Sequence, residues 1–224
     1  MSEELENLIH STPHLWRGAC FGKTAFDGIS TGYSELDRVL PGGGWPRGAV
    51  IELLLEAIGI GELRLMLPAI RTLIAQKRFL VMIDTPYRPC APALSSFGLD
   101  LDAIWLVAPD SPENAWWAAE KALLNPCCGM VLLWSGMFHR KNHGFLKDQA
   151  VRRLQVAAQA SRAILVLYRV ADPGPMDRKN PWAALRLGLT SQDGALVIEV
   201  LKARGSLART RICLKLETST PSTL

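Results

Sequence analysis

Residues Ile29–Glu52 read ISTGYSELDRVLPGGGWPRGAVIE. Ser30-Thr31-Gly32 has the composition of a turn or cap. Tyr33–Leu40 is a short amphipathic helix carrying Leu36, Val39 and Leu40, and Pro41 to Gly44 break it. Trp45-Pro46-Arg47-Gly48 is a tight turn that feeds Ala49–Leu55 (AVIELLL), a buried strand. Taken alone, the stretch says helix, glycine turn and core strand.

Working outward, apolar strands alternate with helical segments. A helix from about Glu62 to Gln76 follows the first strand, then strand Arg78–Ile83, a helix from about Pro89 to Phe97, and strand Ala103–Val107. Helix Asn114–Leu124 leads to strand Gly129–Trp134, and helix Lys147–Ala160 leads to strand Ala163–Val170. Short apolar strands separated by helices of roughly ten to fifteen residues are βαβ units with a mostly parallel sheet. Three final strands, Trp182–Leu189, Ala195–Ala203 and Thr210–Leu216, have no helices between them and predict a mixed or antiparallel edge. The expected fold class is α/β, a mostly parallel sheet flanked by helices on both faces.

The composition narrows the classes. The chain has 224 residues, 49% of them hydrophobic, enough for a sizeable core. No apolar run approaches the roughly 20 residues that span a bilayer, and the acidic start MSEELENLIH does not look like a signal peptide. Five cysteines without framework spacing (Cys20, Cys90, Cys127, Cys128 and Cys213) fit a reducing cytoplasm. The formal charge of +4 is mild, but the basic residues concentrate between Arg140 and Arg211, so an anionic partner would meet the C-terminal half.

The order of elements in Ile29–Glu52 resembles the RecA and KaiC-like superfamily, in which an "(I/V)STG…LD…L GGG(L/W)P.G" stretch leads into the strand before the phosphate loop. Phe79–Asp84 (FLVMID), Gly98–Asp102 (GLDLD) and Gly129–Ser135 (GMVLLWS) continue the likeness, which runs from about Thr31 to Leu216. Within that superfamily, Leu40–Leu67 and Leu15-Trp16-Arg17-Gly18 are similar to the ImuA family of translesion-synthesis accessory proteins, itself described as similar to the cell-division inhibitor SulA. The resemblance implies a RecA-like core over 29–216, an N-terminal segment 1–28 as a docking element, and a polar tail 217–224.

The residues for ATP chemistry are missing from their places. A phosphate loop of the form G-x-x-x-x-G-K-[ST] wraps phosphates in glycine amides, neutralises them with Lys and holds Mg²⁺ with the hydroxyl. Here Gly59 and Gly61 survive, Glu62 falls on or beside the Lys position, and Leu63 takes the hydroxyl position. A carboxylate about 4 Å from a phosphate turns attraction into repulsion, a swing of several kcal/mol even at an effective dielectric of about 20. Trp134 stands where the metal-positioning Asp would end its strand. Pro86, after Asp84, stands where the resemblance puts the catalytic Glu, and the nucleotide-sensing Gln falls near Tyr168-Arg169. Asp84 reads as a strand-end cap. The expectation is a pseudo-ATPase with a degenerate loop and no cofactor.

Other constellations are weaker. His139 and His143 flank Arg140 and Lys141 and read as a solvated basic loop, because a metal site needs more ligands and less positive charge. No Ser/His/Asp or Cys/His arrangement is readable. Trp116 and Trp117 on one helix are a candidate partner anchor, against the alternative that one is core and the other half-exposed. The loops 137–145 and 171–182 occupy, by resemblance, the places of the two DNA-binding loops of RecA. Their Arg140, Lys141, His143, Arg178, Lys179 and Trp182 are candidates for phosphate contact and base stacking, against the alternative of ordinary exposed loops. Lys202 and Arg204 resemble the lysines that RecA extends toward a neighbouring subunit, and they equally read as a strand ending in solvent. Together with Leu15, Trp16 and Arg17 they are the candidate interface residues.

The ImuA resemblance implies a cytoplasmic accessory protein of damage-induced (SOS) translesion synthesis. Its implied partners are RecA, an inactive Y-family subunit of the ImuB type, an error-prone replicative-type polymerase and single-stranded DNA, with no membrane role. A SulA-like division inhibitor and, less well supported, a weak ATPase with an atypical loop are the alternatives.

Overall fold

In a computed structural model of the chain, residues 27–134, 148–170, 180–203 and 210–216 are described. Strand β1 (Gly28–Ile29) pairs antiparallel with β2 (Trp45–Pro46), closing the hairpin around helix α1 (Ser34–Val39). The opening motif has a physical explanation. The Asp37 carboxylate accepts from the Thr31 N–H at 2.8 Å and the Ser30 hydroxyl at 2.6 Å, which ties the turn to the helix it precedes. Gly32 has φ +85, and a Cβ there would lie 2.4 Å from Cβ of Pro68. Only glycine fits that backbone and that gap.

The main sheet is built from β3 (Ala49–Leu55), β4 (Phe79–Ile83), β5 (Ile104–Val107), β6 (Cys128–Leu133), β7 (Ile164–Val170), β8 (Leu185–Gln192), β9 (Ala195–Ala203) and β10 (Arg211–Leu214). Their spatial order is β10-β9-β8-β3-β7-β6-β4-β5. From β8 through β5 every pair is parallel, while β9 and β10 add antiparallel strands at the other edge. This is the α/β sheet with a mixed C-terminal edge that the sequence predicts.

Helix α2 (Glu62–Ala75) covers one face with Leu65, Met66, Ala69, Ile70 and Leu73. Helix α3 (Ala91–Ser96) lies beyond β4. Helices α4 (Pro112–Leu124) and α5 (Asp148–Ser161) cover the other face through Ala115, Ala119, Leu123, Val151, Leu154, Ala157 and Ala158. The central strands are apolar on both sides because both faces are covered. Helix α4 starts where its sequence says it should: the Ser111 hydroxyl accepts from the Asn114 N–H and Pro112 opens the first turn.

Some boundaries differ from the sequence reading. The strand expected over Trp182–Leu189 begins at Leu185, because the Asn180 side-chain carbonyl accepts from the N–H groups of Trp182 and Ala183 and holds that segment in a turn. The last strand ends at Leu214, short of Leu216. Of Trp116 and Trp117, the second is 60% exposed, with the Lys121 ammonium over its ring, while Trp116 packs partly buried against the core. The N-terminal segment before residue 27 and the tail after 216 lie outside the described residues, and no helix among those described is long and apolar enough to cross a membrane.

Glu52, inside the apolar strand β3, is fully buried between two arginines, a pairing that no local pattern in the sequence announces. Arg169 donates to its Oε1 at 2.7 Å and Arg186 to its Oε2 at 2.5 Å. In strand register Glu52 faces Arg186 on β8, and Arg186 faces Lys202 on β9, so the charges form a row across one face of the sheet.

Candidate functional site

The loop 56–61 leaves the C-terminal end of β3, a central strand, and ends at the N-terminus of α2. Such a place offers unpaired amides and the positive end of a helix dipole to an anion. Gly59 (φ 87) and Gly61 (φ 109) both take the left-handed conformation, and Gly61 is the N-cap of α2. Successive amides turned inward in this way form an anion-holding nest.

The nest already holds an anion, and it is the chain's own. Gly59 N–H donates to the two carboxylate oxygens of Glu62 at 3.0 and 3.2 Å, and Gly61 N–H donates to Oε2 at 3.1 Å. Glu62 is the first residue of α2 and is buried. The dipole and the amides therefore act on a side chain four or fewer residues away instead of on a bound phosphate. On the far side, Leu216 closes against the loop: a Cβ at Gly61 would lie 2.5 Å from its Cδ1.

Three of the positions singled out in the sequence converge here. Trp134, directly after β6, is buried and stacks on Tyr168 of β7 with ring centroids 4.3 Å apart and 12° between planes. The Tyr168 hydroxyl donates to the backbone carbonyl of Glu62 at 3.4 Å. Burial, and secondarily the nearby Glu62, hold the phenol well above its ordinary pKa, so it stays a neutral donor. Trp134 and Tyr168 thus form one aromatic stack that buttresses the start of α2. Trp134 Nε1 finds no acceptor among the described residues.

Beside this stack lies a cleft of about 290 Å³. Gly59, Gly61, Glu62, Leu63, Pro86 and Trp134 all line it, with further apolar wall from Met82, Leu67 and Phe97. Pro86 thus lies at the cleft wall, while Asp84, at φ 55, turns the chain out of β4 with its N–H donating to the Val107 carbonyl. No group of three or more His, Cys, Asp or Glu placed to hold a metal occurs among the described residues.

The other candidates are placed apart from the cleft or cannot be placed. Lys202 donates to the carbonyls of Asn180 and Pro181 at 3.2 and 3.0 Å, tying β9 to the turn before β8. Trp182 sits on the outside, with the Arg152 guanidinium 5.3 Å from its ring centre. Leu15, Trp16, Arg17, Arg140, Lys141, His143, Arg178, Lys179 and Arg204 lie outside the described residues.

The chain is similar to protein RecA of Listeria welshimeri and of Listeria ivanovii, 28% identical over 152 residues in each case. The match covers 62% of this chain and 43% of theirs, so it spans less than half the length of the curated relatives. A RecA-like relationship is supported. No family model matches.

Proposed function

We propose that this chain is a non-catalytic, RecA-like accessory protein of DNA repair, acting in damage-induced translesion synthesis in the manner of the ImuA family. The observation that carries the non-catalytic part is the Glu62 carboxylate seated on the Gly59 and Gly61 amides. A phosphate would have to displace an anion that is covalently attached, with no Lys to compensate and a tryptophan where the metal-positioning carboxylate is needed. The RecA similarity supports the repair setting. The translesion role rests on the ImuA-like stretches Leu15–Gly18 and Leu40–Leu67. In this reading the chain presents a RecA-like surface without nucleotide cycling to RecA, to an ImuB-type subunit and to an error-prone polymerase. Arg140, Lys141, Arg178 and Lys179 are the candidate contacts for single-stranded DNA.

Two measurements test it. Calorimetric titration with Mg²⁺ and ATP is expected to give no binding in the micromolar range; micromolar, Mg²⁺-dependent affinity would overturn the non-catalytic reading. Co-purification with RecA and the ImuB-type subunit is expected with the intact chain and to weaken on deleting residues 1–28. Absence of any complex would overturn the accessory role.

A further inference from the structure

The cleft beside the closed loop has a largely apolar wall. Ile58, Leu63, Leu67, Met82, Phe97 and Trp134 line it, a surface suited to a bulky apolar group. Its volume of about 290 Å³ holds one or two large side chains, not a folded partner. Two cations line it as well, Arg64 on the exposed side of α2 and Arg88 on the segment after β4, and neither has an ion-pair partner among the described residues. The one carboxylate in the lining, Glu62, is engaged with the glycine amides, which leaves the cleft with an excess of positive charge. Trp134 also lines it, almost wholly buried, and its indole N–H has no acceptor among the described residues. Buried donors without an acceptor are uncommon in a folded protein; Trp45 Nε1 and Asn180 Nδ2 are also unpaired among the described residues, but only Trp134 lines the cleft, where a bound segment can supply the acceptor.

We infer that the emptied nucleotide cleft is a docking pocket for an extended, acidic segment of a partner protein. One bulky apolar side chain of that segment fills the space between Leu63, Met82 and Trp134. Carboxylates flanking the anchor meet Arg64 and Arg88, and a backbone carbonyl supplies the acceptor that Trp134 lacks. An apolar anchor gives affinity, and the two arginines select acidic over basic flanks. Because Arg64 and Arg88 are exposed, both can be changed without disturbing the core. The inference rests on the reading that the site does not take nucleotide.

The test uses the full chain and two synthetic octapeptides, each with a central Leu-Phe pair, one flanked by Asp and Glu and the other by Lys. The indole N–H resonance of Trp134, assigned by its absence from Trp134→Phe, is followed during titration. The acidic peptide is expected to shift that resonance and to bind at least tenfold more tightly than the basic one. The double variant Arg64→Ser with Arg88→Ser is expected to lose that discrimination, and Trp134→Phe to weaken binding severalfold. An unmoved indole resonance, or equal binding of both peptides to the unmodified chain, overturns the docking pocket. Titration with Mg²⁺ and ATP on the same sample separates the two readings: a shift of the same resonance sinks the non-nucleotide reading beneath it.

Discussion

Replacing Glu62 by alanine opens the phosphate nest, and the consequence can be worked from the contacts. The carboxylate accepts from two amides, Gly59 and Gly61, at 3.0 to 3.2 Å. Gly59 is exposed and Gly61 partly so, which lets water take over, so each lost bond costs about 1 kcal/mol instead of the full penalty of an orphaned buried donor. The variant should lose about 2 kcal/mol. For a chain of this size each kcal/mol moves Tm by about 2–4 °C, which gives a fall of about 4–8 °C. The opened nest should then bind inorganic phosphate or sulfate. At a phosphate concentration ten times Kd, the variant regains about 1.4 kcal/mol by mass action, while the unmodified chain gains nothing at the same concentration. Thermal melts of both proteins across a phosphate series at constant ionic strength read this directly. Identical phosphate dependence of the two would refute the idea that the Glu62 carboxylate occupies an anion site.

Glu52→Ala should cost about 3–5 kcal/mol in urea unfolding, because it removes the fully buried carboxylate shared by Arg169 and Arg186. Replacing Glu52 with Leu together with Arg169→Met and Arg186→Met should recover most of that loss, and a single-variant cost under 1 kcal/mol would contradict the burial. The Cys128 thiol is pushed up to about 12 by burial, against an ordinary 9.0. The folded chain therefore binds more protons than the unfolded one between those values, so stability is intact below about pH 9. It falls above that by up to about 1.4 kcal/mol per pH unit, and Cys128→Ala should remove this part of the slope. Gly32→Ala, with φ +85 and Pro68 Cβ at 2.4 Å from the new methyl, should destabilise by about 2–3 kcal/mol, measurable as a shifted urea midpoint without a change in m.

Much of the architecture was legible because it rests on periodicity. Val50–Leu55 and Val131–Leu133 are apolar almost throughout, as strands covered on both faces must be, and the helices between them carry apolar stripes. The edge strands β9 and β10 follow without helices and so pair antiparallel. What escaped was polar and long-range. Glu52 looks like an interruption in a strand, and nothing near it in sequence announces Arg169 and Arg186, more than a hundred residues away. Strand ends were off by a few residues where a side chain, Asn180, captured backbone amides that a strand would have used.

The phosphate loop shows the division most clearly. The sequence, through its RecA-like resemblance, raised the expectation that Glu62 and Leu63 stand where a phosphate loop carries Lys and a hydroxyl, and that Trp134 takes the place of a metal-positioning Asp. Residue identity suffices for that, because charge and hydrogen-bonding capacity travel with the side chain wherever it is placed. Only the tertiary structure decided what these residues touch. The Glu62 carboxylate turns back onto the amides of its own loop, Trp134 and Tyr168 stack beneath it, and an apolar cleft opens alongside. A side chain's direction is set by the left-handed turns at Gly59 and Gly61 and by strands brought together across the sheet, and those are properties of the folded chain.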